Sequence, residues 1–268
     1  MDLFQCARQC IEAPQPDQKL ALTRAGAQAW REGTLPLVVT AGPVPISTPG
    51  RPQRPELVRP AKLARRKLSN PAGRAAFLHA LAHIEFNAIN LAWDAVYRFR
   101  GMPQAFYSDW IGVAEEEAQH FGMLRERLRD MGHDYGDFPA HDGLWEMAVK
   151  TAHDVLLRMA LVPRVLEARG LDVTPAMIQR LQQAGDTETA ELLKVILRDE
   201  IGHVAHGSRW FRFVCRQRGL EPVVTFQRLL GEYLPGSIRS PLNTAARKQA
   251  GFGEDEMELL QRMAQEKA

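Results

Sequence analysis

From residue 70 onward the apolar residues recur at intervals of three and four over four long stretches, the period of helices that bury one face. Ser69-Asn70-Pro71 sets a capping residue before a proline at the first helical position. It predicts a long helix to about Arg100, stopped by Gly101, with apolar positions Phe77, Leu81, Ile84, Ala88, Leu91, Ala95 and Phe99. A second long helix is expected from about Pro103 to Met131, stopped by Gly132, with Phe106, Trp110, Val113, Phe121, Leu124, Leu128 and Met131 on its stripe. A third runs from about Gly143 to Arg169 and stops at Gly170; Pro163 inside it predicts a kink or a local bulge. Thr174-Pro175 predicts a short helix ending near Gly185, and a fourth long helix runs from about Asp186 to Arg218 with Gly219 as its stop. Helices of about 27 to 33 residues are about 40–50 Å long. Joined by short loops, they form an antiparallel four-helix bundle. No period-two alternation competes with this, so the fold class is all-α.

The flanks read differently. Residues 3–33 predict two helical pieces broken at Pro14 and Pro16, with Asp17 as the cap of the second. Residues 34–60 hold Pro36, Pro43, Pro45, Pro49, Pro52, Pro55 and Pro60, a density that forbids a long helix and predicts an extended strap across the bundle. Residues 222–268 predict further helical pieces around a turn-rich segment at Pro235–Pro241. The expected organisation is therefore 1–70 as N-terminal helices and strap, 71–219 as the bundle, and 220–268 as a C-terminal helical extension.

The apolar faces carry carboxylates. Glu85 lies four after Leu81 and three before Ala88; Glu117 lies four after Val113 and four before Phe121, with His120 three further on. Glu167 extends the line Leu156, Ala160, Pro163, and Glu200 and His203 fall among Leu193, Ile196, Leu197, Val204, Phe211 and Val214. Burying four ionised carboxylates without partners costs many kcal/mol. Shared cations remove that cost. Glu85 precedes Glu117 by 32 residues and Glu167 precedes Glu200 by 33, so each half pairs a lone Glu with a Glu-x-x-His. A lone Glu from each of two helices and a Glu-x-x-His from each of the other two is the ligand pattern of a two-metal carboxylate bundle. The expected metal ligands are Glu85, Glu117, His120, Glu167, Glu200 and His203. Glu116 and Asp199 stand four before the histidines, but the three-residue spacing works identically in both halves. His206, one turn beyond His203, reads as a group supporting the ligands, as an extra ligand, or as an ordinary core or cap histidine.

On these residues the chain resembles the ferritin-like di-iron superfamily over roughly 75–218. The segments HALAHIEFNAINLAWDA, YGDFPAHDGLWEMA, MALVPRVLEARGLDVTP and DEIGHVAHGSRWF resemble an uncharacterised bacterial family of ferritin-like proteins, a domain of unknown function. The resemblance implies two iron ions, with manganese or a mixed pair as the alternative, and reaction with dioxygen. It also implies that Glu116 and Asp199 hydrogen-bond the metal-bound histidines and fix their tautomers. The expected function is a di-iron oxidoreductase that hydroxylates or oxidises an organic substrate, fed by an electron-donor protein. Alternatives are a rubrerythrin-like peroxide- or iron-handling protein, a tRNA-hydroxylase-like enzyme, and a non-catalytic metal-stabilised interaction module.

Charge and composition change little. The 268 residues are 45% hydrophobic and 25% charged with a net charge of +2, an ordinary globular balance. Arg51, Arg54, Arg59, Lys62, Arg65, Arg66, Lys67 and Arg74 face Glu56 alone within 51–74, a run that reads as a solvated segment or as an RNA contact. No CxxC pair exists among the three cysteines. No apolar stretch reaches a membrane span and no secretion signal opens the chain, so a cytoplasmic protein is expected, with a homodimer as a plausible assembly. The loop holding Tyr135, Asp137, His141 and Asp142 reads as a cover over one end of the bundle or as a connector whose polar side chains satisfy backbone groups.

Overall fold

The computed structural model describes residues 1–39, 42–63 and 67–265. The chain divides into two compact units, Met1–Lys150 and Thr151–Ala268. Among the described residues the regular structure is helical, and no helix is long and apolar enough to cross a membrane.

The first unit contains α1 (Leu3–Glu12), α2 (Pro16–Arg31), α3 (Pro71–Arg98), α4 (Gln104–Asp130) and α5 (Gly143–Lys150). Asn70 Oδ1 accepts from Gly73 N at 2.7 Å and Pro71 opens α3, as the sequence predicts. Asp17 is not the cap of α2: Pro16 already occupies the first turn, Gln15 stands at the cap, and Asp17 instead meets the positive end of the helix dipole. α4 follows α3 after a short connection and returns along it. The helix α3 is not amphipathic over its second half, where every residue from Glu85 to Arg98 is buried. It has α1, α4 and α5 packed around it, so one stripe cannot describe it. Ile84, expected on the buried stripe, is 43% exposed.

The proline-rich strap is extended and tied down by backbone groups. Leu3 N donates to Pro36 O (3.0 Å), Gly50 N to Ile11 O (2.8 Å), and Trp145 Nε1 to Ser47 O (3.0 Å). An isolated parallel bridge joins Leu57 to Ala140, so the strap also holds the loop before α5. Of the basic run, Arg51 pairs with Asp142, and Arg65 and Arg66 lie outside the described residues.

The second unit contains α6 (Val155–Leu161), a π-helical stretch (Val162–Glu167), α7 (Ala168–Gln183), α8 (Thr187–Gln217), α9 (Pro222–Tyr233), α10 (Thr244–Gln249) and α11 (Glu254–Gln265). The third long helix expected from the sequence is therefore interrupted and then extended. It breaks after Lys150, where Thr151 Oγ1 takes Arg158 Nε (2.6 Å) and Asp154 Oδ1 recaps the chain at Leu156 N (2.8 Å). Pro163 produces a bulge: Ala168 N reaches back five residues to Pro163 O. Neither Gly170 nor Pro175 stops the helix. Pro175 lacks the N–H that Leu171 O would accept from, and Asn243 Nδ2 donates to that carbonyl instead, at 3.1 Å.

α8 packs along the π stretch at Gly207. A Cβ there would lie 2.3 Å from Pro163 Cγ and 2.4 Å from Pro163 Cβ. Gly207→Ala is therefore expected to destabilise the protein by about 1–3 kcal/mol through overpacking, measurable by denaturant unfolding. An unchanged midpoint would mean that the two segments separate freely.

Candidate metal centre

In the first unit α3 carries Glu85, and α4 carries Glu117 and His120 one turn apart. One ligand atom from each comes within 4.8 Å of the other two. His120 Nδ1 lies 3.4 Å from Glu117 Oε2 and 3.5 Å from Glu85 Oε2. All three side chains are buried. Burial, then the neighbouring Glu117 carboxylate, holds the Glu85 carboxyl well above its ordinary range. Burial works to lower the His120 pKa, but the hydrogen bonds and charge of Glu117 and Glu85 outweigh it and push it up to about 11.

These residues fit a cation. Two carboxyl groups crowded in a dry core oppose each other's ionisation, and the nearest nitrogen to Glu85 Oε2 is His120 Nδ1 at 3.5 Å. An all-oxygen and imidazole donor set suits iron, manganese or zinc. This buried group of Glu and His can hold a metal ion.

The residues after Glu85 and His120 help keep the site dry. Phe86 and Phe121 meet at 5.3 Å between ring centroids, and Tyr135 covers them at 5.3 and 5.1 Å. Behind this trio His83 contacts His141 O through Nε2 (3.0 Å) and Tyr135 Oη through Nδ1 (2.9 Å). Asn87 Nδ2 also lies 3.1 Å from Nε2 and donates to the His83 carbonyl at 2.9 Å. The spacing His83, Asn87, Asn90, Asp94 marks a polar line at helical intervals on α3, and all four are buried. That line is visible in the sequence but is not among the residues predicted to form the site. The loop itself behaves as expected of a connector: Asp134 Oδ1 accepts from Tyr135 N (2.6 Å), Asp137 Oδ2 from Asp134 N (2.9 Å), and His141 Nδ1 from Gly143 N (3.2 Å).

In the second unit Glu200 and His203 share one face of α8, with His203 Nδ1 3.7 Å from Glu200 Oε1. His203 is fully buried and Glu200 partly so. Glu167 is the last residue of the π stretch, partly buried, on the segment that packs against α8. Asp199 pairs with Arg198 (2.8 Å) and His206 is partly buried; Glu116, in the first unit, lies on the exposed side of α4.

The described residues thus define an all-helical protein with a buried Glu and His group able to hold a metal ion. The chain belongs to the family described as "Protein of unknown function (DUF455)", which it matches over residues 12–258. It is 47% identical over 221 residues to an uncharacterized protein of Haemophilus influenzae, covering 80% of this chain and 77% of that one. No solved structure matches.

Proposed function

We propose that the protein is a di-metal carboxylate oxidoreductase that uses two iron ions to activate dioxygen for hydroxylation or oxidation of an organic substrate. In this reading the long hairpins α3–α4 and α7–α8, with α6 and the π stretch leading into α7, pair as a ferritin-like four-helix bundle, and Glu85, Glu117, His120, Glu167, Glu200 and His203 hold the ions. The observation that carries the reading is the buried triad Glu85, Glu117 and His120, with one ligand atom of each within 4.8 Å of the others. The second unit repeats the triad's sequence elements, a lone Glu followed by a Glu-x-x-His, at almost the same spacing.

Bound there, the irons supply a two-electron couple for dioxygen. The chain's own residues do the rest. Glu85 and Glu117 neutralise the cations, and His120 must give up its proton to bind through nitrogen. Phe86, Phe121 and Tyr135 exclude water from that side. The His83 and Tyr135 pair fixes the covering ring in place.

The test is an anaerobic titration with ferrous iron, followed by admission of dioxygen. Two irons per chain and a transient visible absorption on oxygenation are expected. Failure to take up iron or manganese sinks the reading, and iron that reacts with hydrogen peroxide but not with dioxygen turns it toward peroxide handling.

A further inference from the structure

Three residues before Glu167, the π stretch carries Arg164, which is completely buried. Its guanidinium sits among three aromatic rings, 4.6 Å from the centroid of Phe211, 4.1 Å from Phe226 and 4.6 Å from Phe252. Its Nη2 pairs with Glu256 of α11, itself buried. Glu256 Oε2 also accepts from Gly253 N and from Arg212 Nη2, both at 2.9 Å. Arg164 Nε and Nη1 make no hydrogen bond. Burial pushes the guanidinium down to about 10, so it remains charged at neutral pH.

Stability alone does not favour this arrangement. A buried ion pair with idle donors commonly gives way to apolar residues of similar size without loss of stability, and three phenylalanines already make an apolar cage. An ion pair contributes direction, which an apolar contact does not. That direction matters at a π stretch. The wider turn inserts one extra residue, and each residue of helix turns the rest of the chain by about 100°. The heading of Glu167 relative to Leu156 and Ala160 therefore depends on the wide turn persisting. Pro163 removes an N–H and admits the bulge. Arg164, within it, is anchored to Glu256 outside the helix.

We infer that Arg164, tethered to Glu256 through the aromatic cage, is a positioning residue that locks the π-helical register and so aims Glu167 as a metal ligand. The inference rests on the proposed di-metal site. It gives Phe252 and α11 a purpose that the sequence, read as a C-terminal extension over 220–268, does not assign. The C-terminal segment becomes the outer anchor of a ligand three residues from Arg164.

The test uses the full chain with Arg164→Met and Glu256→Met together, which keeps the cage filled. The single variant Glu256→Gln, which keeps shape but not charge, serves if the double variant folds poorly. Amide exchange across 162–168 is measured on the metal-free protein, and ferrous iron is titrated anaerobically. The expected result is at least tenfold faster exchange at 164–168, unchanged exchange in α3 and α4, and roughly tenfold or greater weakening of one of the two irons, the loss typical when a ligand's supporting partner is removed. Unchanged exchange and affinity overturn the inference. Faster exchange with unchanged iron affinity also overturns it, leaving the pair as a fastener for α11. If wild-type protein binds no iron, the proposed function fails and the ligand role of Glu167 fails with it.

Discussion

Glu117→Gln is expected to abolish loading of the metal centre while raising the melting temperature of the metal-free protein. The two effects share one cause. Glu117 is fully buried beside Glu85 and His120. Its charge raises the Glu85 carboxyl on top of the burial that Glu85 already suffers. Without a cation, one carboxylate suffices as counter-ion for His120, and the crowding of the second against it is what keeps Glu85 from ionising at its ordinary pH. Glutamine keeps the volume and leaves Glu85 as the partner of His120. A gain of about 1 kcal/mol is typical when a functional residue of this kind is neutralised, and it corresponds to a melting temperature roughly 2–4 °C higher in a domain of this size. Metal content per chain and a calorimetric scan of the metal-free protein check the two halves. Two ions retained would remove Glu117 from the ligand set. A lower melting temperature would show that the carboxylate supports the fold in its own right.

The same triad predicts how loading depends on pH. His120 is protonated in the metal-free protein far above its ordinary range. A bound cation must displace that proton, so uptake releases protons and weakens as the pH falls. Iron affinity measured at pH 6 and pH 8 should be lower at pH 6, and equal affinities would mean that His120 is not a ligand.

The features legible in the sequence are those that local chemistry decides. Asn70-Pro71 starts α3, and Asp186 caps α8 through Thr189 N at 3.2 Å. Gly101, Gly132 and Gly219 come after the long helices at φ +81, +80 and +64. The clustering of Glu85, Glu117 and His120 is a consequence of helical spacing once α3 and α4 form a hairpin. The features that escaped depend on residues far apart in the chain. α7 passes through Pro175 because Asn243, 68 positions later, serves the carbonyl that the proline leaves without a donor. α3 is buried nearly all round because other helices surround it, and no window of its own sequence contains them. The Arg164 cage is drawn from α8, α9 and the turn before α11, so a lone arginine among apolar residues of the third helix gave no sign of it.

Lys19 carries a large expected effect of pH on stability. It is completely buried in the first unit, with Nζ donating to Cys10 O (2.6 Å) and Ile11 O (2.9 Å) at the end of α1 and lying 5.4 Å from the Phe86 ring centroid. Burial pushes its pKa down to about 7, and no carboxylate pairs with it among the hydrogen bonds it makes. The Cys10 thiol is driven up by its hydrogen bond with Cys6 and by burial, so it stays neutral and offers no counter-charge. A lysine in the unfolded chain titrates near 10.4. Below pH 7 both states hold the proton, and the cost of burying it is constant. Between about pH 7 and pH 10 the unfolded chain holds a proton at this lysine that the folded chain has released, so the contribution of Lys19 to stability rises with pH by up to about 1.4 kcal/mol per pH unit, about 4 kcal/mol in all, while His120, held above its ordinary range, contributes the opposite slope. Lys19→Met should remove that contribution, so that the slope of stability against pH falls below that of the wild type. At pH 7 it should stabilise the metal-free protein by about 2 kcal/mol, after roughly 1 kcal/mol is lost with the bonds to the two carbonyls. Urea unfolding of both proteins from pH 6 to pH 10 decides the matter. A variant whose slope matches that of the wild type would mean that Lys19 stays charged in its site and that the carbonyls at the end of α1 hold the ammonium as well as water does.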